Sequence, residues 1–189
     1  MVLLNIGEIL RVHARKRPGK MAVKDWLGKT LTYPELDSRT NRLASALLSM
    51  NLRKGDRVAV MLYNCTEFIE VYCALAKTGL VVVPVNWRFV GKEIEYVVNH
   101  SDSKAMIVGE DFVGIIDSVR SSFKKIEDKN YVVVGRSVPE GYVNYENLIA
   151  DSSDRAPNVK VNGKDTWVQV YTSGTTGIPK GVVRSHESY

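Results

Sequence analysis

The chain has 189 residues, 44% of them hydrophobic and 25% charged, and a formal net charge of +5. That balance excludes a disordered polyelectrolyte, and no apolar run approaches the roughly 20 residues of a membrane span. The length suits a single domain with one good core.

Basic residues are densest at Arg11-Val12-His13-Ala14-Arg15-Lys16-Arg17. Without interleaved aromatic rings, that run fits a solvated helix end better than a nucleic-acid surface, and no nucleic-acid partner is expected. Val2-Leu3-Leu4 is too short for a signal peptide, and Glu8 and Arg11 interrupt the residues after it. Cys65 and Cys73 fall on one expected helix. They sit about 12 Å apart along its axis, beyond disulfide reach. Two free thiols suit a reducing cytoplasm. His13, His100 and His186 are scattered, with no metal-ligand spacing.

In chain order, residues 4–14 read as a short amphipathic helix carrying Leu4, Ile9, Leu10 and Val12, closed by the turn signal Pro18-Gly19. Residues 21–24 and 29–32 pair as a hairpin around Leu27-Gly28. Thr32-Tyr33-Pro34-Glu35 opens a helix with a capping Thr, an early Pro and a Glu three residues after the cap. Its apolar stripe is Leu36, Thr40, Leu43, Ala44 and Leu47, and Asn51 serves as a left-handed stop. A strand–helix rhythm then sets in. Residues 57–62, 80–83, 105–108 and 131–134 are apolar strands. The first helix between them carries Phe68, Val71, Tyr72, Leu75 and Ala76, and the second Ile94, Val97 and Val98. The third spans Phe112, Ile115, Ile116, Val119 and Phe123 as one stripe. Near-continuous apolar strands predict an α/β fold, a mostly parallel sheet with helices on both faces. Residues 144–149 make a helical turn, and 151–162 a polar loop.

The strand 166–171 then runs into Thr172-Ser173-Gly174-Thr175-Thr176-Gly177, all Gly, Ser or Thr, before Ile178-Pro179-Lys180-Gly181. Such a segment has little apolar surface to bury, and its hydroxyls and N–H groups need polar partners. Glycines let backbone approach a ligand, successive N–H groups form an anion-binding nest, and Lys180 adds a point charge. Polyphosphate suits it best. The spacing is neither a Walker loop nor a dinucleotide fingerprint, and on composition alone a solvent loop between two strands stays open. Residues 181–184 return as a second hairpin strand, with Ser185 capping a helix. His186 fits packing better than substrate contact, while Arg184 stands open to phosphate or solvent. Asn64, Asn86 and Arg88, just after strands, read as turn formers.

The unbroken string from Tyr171 to Gly181 resembles the signature loop of the adenylate-forming superfamily, which includes acyl-CoA synthetases, luciferases and peptide-synthetase adenylation domains. Leu31–Leu36 (LTYPEL), Lys54–Ala59 (KGDRVA) and Ala76–Gly79 through Pro84-Val85-Asn86 are similar to further segments of that family. The resemblance runs from about Ile6 to the C-terminus. It implies that residues 1–189 are the N-terminal part of an AMP-binding (adenylation) domain, truncated just after the phosphate-binding loop, with the C-terminal domain absent. The implied reaction is that of an ATP-dependent acyl-CoA synthetase: carboxylic acid and ATP give acyl-adenylate and pyrophosphate, then the acyl group passes to CoA. By the same resemblance, Thr172, Ser173, Gly174, Thr175, Thr176, Gly177 and Lys180 hold the phosphates. Thr172 contacts Mg²⁺, and Lys180 is the catalytic cation. The implied partners are a fatty or aryl carboxylic acid, ATP and CoA, and a homodimer is compatible with the reading. This stretch alone is expected to be inactive. A non-enzymatic nucleotide- or anion-binding module, or an interaction fragment, is the alternative.

Overall fold

Runs such as Val58-Ala59-Val60-Met61 offer apolar side chains in both directions, so a strand built from them must be covered on both faces. The computed structural model describes residues 5–172 and 179–188 and shows that solution. Nine strands form among the described residues: β1 (Met21–Lys24), β2 (Thr30–Thr32), β3 (Arg57–Met61), β4 (Val81–Pro84), β5 (Ser103–Gly109), β6 (Tyr131–Val134), β7 (Val143–Asn144), β8 (Thr166–Thr172) and β9 (Lys180–Ser185). β1 and β2 make the expected hairpin, and the others form one sheet in the order β7-β6-β5-β3-β4-β8-β9. Every pairing in that sheet is parallel except the last, β8 with β9.

The helices are α1 (Ile6–Lys16), α2 (Tyr33–Ser49), α3 (Thr66–Thr78), α4 (Gly91–His100), α5 (Val113–Val119) and α6 (Tyr145–Ala150). Val58 and Val60 point to a core with Leu43, Leu47, Val71, Leu75 and Ile149, from α2, α3 and α6. Ala59 and Met61 point the other way, to Ile94, Val97 and Ile116 from α4 and α5. The division follows from handedness. The chain moves from β3 to β4 in one direction, then back across β3 to β5, and right-handed crossovers in opposite directions lie on opposite faces. No helix among the described residues is long and apolar enough to cross a membrane.

Local signals account for the element ends. Thr32 and Glu35 form a reciprocal capping box, and Pro34 sits in the first turn of α2. Asn51 takes φ 65° and Gly79 φ 69°, the left-handed stops of α2 and α3. Three expectations are corrected. Ile9 is exposed, so α1 packs through Leu10 against Leu31 and Leu36. The segment around Phe112–Phe123 is not one helix: α5 covers only Val113–Val119, between 3-10 turns at Glu110–Phe112 and Arg120–Ser122. Its Val, Gly and Ile residues are weak helix formers, and no side chain caps it. Ser185 ends β9 instead of capping a helix, and a 3-10 turn, His186–Ser188, comes next.

Cys65 is the N-cap of α3 and Cys73 lies within that helix; both are free thiols. Burial pushes each thiol up to about 11, so both stay protonated.

Two ionic clusters tie the helices of one face together. Glu70 of α3, fully buried, accepts Nε (2.7 Å) and Nη2 (3.0 Å) of Arg39 from α2 and the hydroxyl of Tyr145 (2.7 Å) from α6. Arg39 continues to Glu146 through Nη1 at 3.0 Å and Nη2 at 2.7 Å. Lys77 of α3 donates to Asp37 (2.7 Å), Thr40 (2.7 Å) and Asn41 (2.6 Å) of α2. Burial pulls the Lys77 ammonium down against the opposing pull of Asp37.

Arg39→Met leaves the Glu70 carboxylate buried and unpaired, which costs about 3–5 kcal/mol of stability. The double change Arg39→Met with Glu70→Met should recover most of that loss. Denaturant unfolding of the four proteins in the cycle checks it, and a double variant no more stable than Arg39→Met would contradict the account.

Candidate active site

Because β3 to β6 and β8 run parallel, their carboxyl ends share one edge, where open α/β sheets place ligands. β8 reaches that edge at Thr172, and β9 turns back antiparallel from Lys180. Thr172 and Lys180 are direct cross-strand partners, as are Tyr171 with Gly181 and Val170 with Val182. Both Thr172 and Lys180 are exposed. A hydroxyl and an ammonium therefore stand on either side of the hairpin mouth. Ser173, Gly174, Thr175, Thr176 and Gly177, the remaining expected phosphate contacts, lie outside the described residues.

An exposed hydroxyl facing an exposed cation fits phosphate oxygens and Mg²⁺, which commonly takes one or two protein oxygens and completes its shell with substrate phosphates and water. Among the described residues no group of three His, Cys, Asp or Glu could hold a metal. Among the described residues of the mouth, the Thr172 hydroxyl is an oxygen that could hold a metal.

The neck of the hairpin is held by polar and aromatic contacts. The Tyr171 hydroxyl accepts a hydrogen bond from Gln169 Nε2 (2.9 Å) and pairs with His100 Nδ1 (2.8 Å). The Tyr96 hydroxyl donates to the Pro179 carbonyl at 3.0 Å. Tyr96 stacks on His100 with ring centroids 5.2 Å apart and meets Tyr171 edge-on at 6.3 Å. Burial pushes the Tyr171 pKa up, which keeps its hydroxyl available as a donor. A Cβ on Gly181 would lie 2.8 Å from Gln169 Nε2 and 3.2 Å from the Tyr171 ring, so only glycine admits this approach without displacement.

An aromatic cluster lines the same edge beyond β3 and β4. Tyr63 lies 5.3 Å from Trp87 and 4.7 Å from Phe112, and the Arg88 guanidinium sits 4.4 Å over the Trp87 ring. Asn86 Oδ1 accepts the Arg88 N–H at 3.0 Å, the turn-forming role expected of it. Sequence reading passed over Tyr63, Trp87 and Tyr96, and set His100 aside as a scattered histidine. Aromatic residues directly after strands were the available signal for the first two. For Tyr96 and His100 it was their four-residue spacing on α4.

Arg184 and His186 lie away from the mouth. Arg184 pairs with Val168, and its guanidinium bonds Ser188 O at 2.6 Å. His186 comes after Ser185, whose partner Thr166 starts β8 at the opposite end of the hairpin. It is buried, stacks on Trp167 (5.9 Å, 18°) and accepts the Ile6 N–H on Nδ1 at 3.4 Å. Packing is its role, as expected.

Residues 10–189 match the family model described as AMP-binding enzyme. The chain is 35% identical to the long-chain-fatty-acid–CoA ligase FadD13 of Mycobacterium tuberculosis, over 97% of this chain and 35% of that relative. A long-chain-fatty-acid–CoA ligase of Thermus thermophilus is 34% identical over 83% of this chain and 28% of its own length. The solved, inhibitor-bound N-terminal domain of FACL13 from Mycobacterium tuberculosis superposes with a TM-score of 0.84 at 31% identity, covering 98% of this chain and 45% of that one. The chain thus spans about a third of the length of these curated relatives.

Burial lowers the His186 pKa; Asp165 pulls it up and Lys54 down. The unfolded chain therefore takes up this proton first, below about pH 6.5. The stability that neutral His186 contributes is present above that pH and is lost as pH falls through the folded pKa. His186→Gln should flatten the decline in unfolding midpoint between neutral and mildly acidic pH. An unchanged slope in the variant would assign the decline to other groups.

Proposed function

Because this chain belongs to the AMP-binding enzyme family, we propose that it is the ATP-handling N-terminal part of an acyl-CoA ligase. Support comes from one observation above all: Thr172 stands opposite Lys180 at the carboxyl edge of a parallel sheet in a chain homologous to fatty acyl-CoA ligases. In this reading the Lys180 ammonium lies against the terminal phosphates of ATP, and the backbone and hydroxyls of residues 172–177 surround them. The substrate carboxylate attacks the α-phosphorus, a new carboxyl–phosphorus oxygen bond forms, and the bond to pyrophosphate breaks. Charge builds on the departing oxygens, so preorganised positive charge is what accelerates the step. Mg²⁺, held by Thr172 and the phosphates, would neutralise part of that charge when bound.

By analogy with the two long-chain-fatty-acid–CoA ligases, the acid is a fatty acid and CoA is the acceptor. The two unpaired thiols support a reducing, cytoplasmic setting. Residues 1–189 are assigned to the N-terminal part of the adenylation domain and make no acyl-adenylate alone. Adenylation needs carboxylate, α-phosphate and metal held together at near-attack distance, and in this reading the chain contributes the phosphate side.

Titration of the chain with Mg·ATP, beside a pyrophosphate-exchange assay over a panel of carboxylic acids, tests the proposal. Expected are a dissociation constant of about millimolar or weaker, near −4 kcal/mol, a further loss with added salt, and no exchange. Lys180→Ala should weaken the binding further. Acid-dependent exchange by the chain alone would overturn its assignment as an incomplete enzyme. Micromolar binding would favour a self-sufficient nucleotide module, and binding indifferent to Lys180→Ala would remove this lysine from the site.

A further inference from the structure

We propose that α4 is a clamp on the hairpin mouth, with Tyr96 and His100 as positioning residues that fix Thr172 relative to Lys180. The inference rests on the phosphate-site reading above and adds residues that reading does not use. Four positions apart on one helix, Tyr96 and His100 share a face. From that face they reach both sides of the mouth. His100 holds the hydroxyl of Tyr171, the residue before Thr172. Tyr96 holds the carbonyl of Pro179, the residue before Lys180. The two rings also stack on each other, so neither grip moves independently of the other.

The anchored groups suit this purpose. Pro179 has no N–H, which leaves its carbonyl as the backbone group a neighbour can hold. The Tyr171 hydroxyl is gripped twice, by Gln169 Nε2 within β8 and by His100 from outside it. Gly181, the cross-strand partner of Tyr171, leaves room for that ring to lie against the returning strand. A shift at either anchor would move a proposed phosphate contact one residue away.

The same contacts are not needed to attach the helix. Ile94, Val97 and Val98 already bury α4 in the core, whereas Tyr96 is only partly buried and His100 is exposed. A merely structural role and a positioning role therefore separate experimentally. Removing the Tyr96 hydroxyl should leave the fold intact and disturb the mouth.

The test uses the whole chain with Tyr96→Phe, His100→Phe, His100→Asn and Lys180→Ala. Three readouts are the urea midpoint, the rate of native-state trypsin cleavage after Lys180, and affinity for inorganic tripolyphosphate with Mg²⁺, followed by phosphorus NMR. Loss of one neutral hydrogen bond predicts about 2- to 10-fold weaker tripolyphosphate binding in Tyr96→Phe. Cleavage after Lys180 should be faster and the urea midpoint close to that of the unaltered chain. His100→Asn, which keeps a polar atom toward Tyr171, should restore most of what His100→Phe loses. Binding that Lys180→Ala abolishes but Tyr96→Phe and His100→Phe leave intact would overturn the clamp while the phosphate reading stands. A Tyr96→Phe midpoint that falls in step with affinity would make the contact structural and overturn it too. No tripolyphosphate binding by the unaltered chain at millimolar concentration would overturn both readings.

Discussion

Parallel strands buried on both faces must all finish at the same edge, and nearly everything functional in this chain depends on that constraint. β3, β4, β5, β6 and β8 are bound into one sheet by aliphatic side chains that alternate between two helical layers. Their carboxyl ends bring Tyr63, Trp87 and Thr172 to one rim, although these residues are far apart in sequence. The antiparallel return of β9 is what sets a cation opposite the hydroxyl. A parallel partner for β8 at this position would have put the amino end of that strand, and Lys180 with it, at the opposite edge of the sheet. The sheet supplies position, and the hairpin supplies chemistry.

Electrostatics divides along the same lines. Away from the rim, charges are paired and drawn inward: Glu70 with Arg39, and Lys77 with Asp37. A buried pair of this kind contributes little net stability but is costly to break on one side. It therefore fixes how α2, α3 and α6 sit on the sheet more than how strongly they hold it. At the rim the exposed Lys180 and Arg88 face solvent or an aromatic ring. The phosphate role proposed for Lys180 requires a charge uncommitted to a neighbouring carboxylate.

Much of the fold was legible because its signals are local. Thr32 and Glu35 lie three residues apart and make their capping box without help from the rest of the chain. Asn51 and Gly79 mark helix ends through backbone conformations few residues adopt. The apolar strands identified themselves by composition. Where local signals were weak, reading failed: the stripe from Phe112 to Phe123 has helical spacing but poor helix formers and no caps, so it breaks into α5 and two 3-10 turns. The rim was legible only in part. Thr172 and Lys180 stood out through their Gly- and Thr-rich surroundings, whereas Tyr96 and His100 meet partners 83 and 71 residues away, a pairing no periodicity can reveal.

β9 is the last strand of the sheet, and among the described residues it pairs only with β8. Its outer row of backbone donors and acceptors faces outward, beside Val182 at 44% and Val183 at 57% exposure. Such a margin is a template for any extended segment that arrives in register. Lys180 and Arg184 flank the two valines, and two copies approaching edge to edge would bring like charges together. The cation proposed to meet phosphate would thus have a second physical effect, as a gatekeeper against self-assembly. Salt would screen that repulsion, so the conditions that weaken an anion's hold on the mouth are also those in which this strand becomes most adhesive.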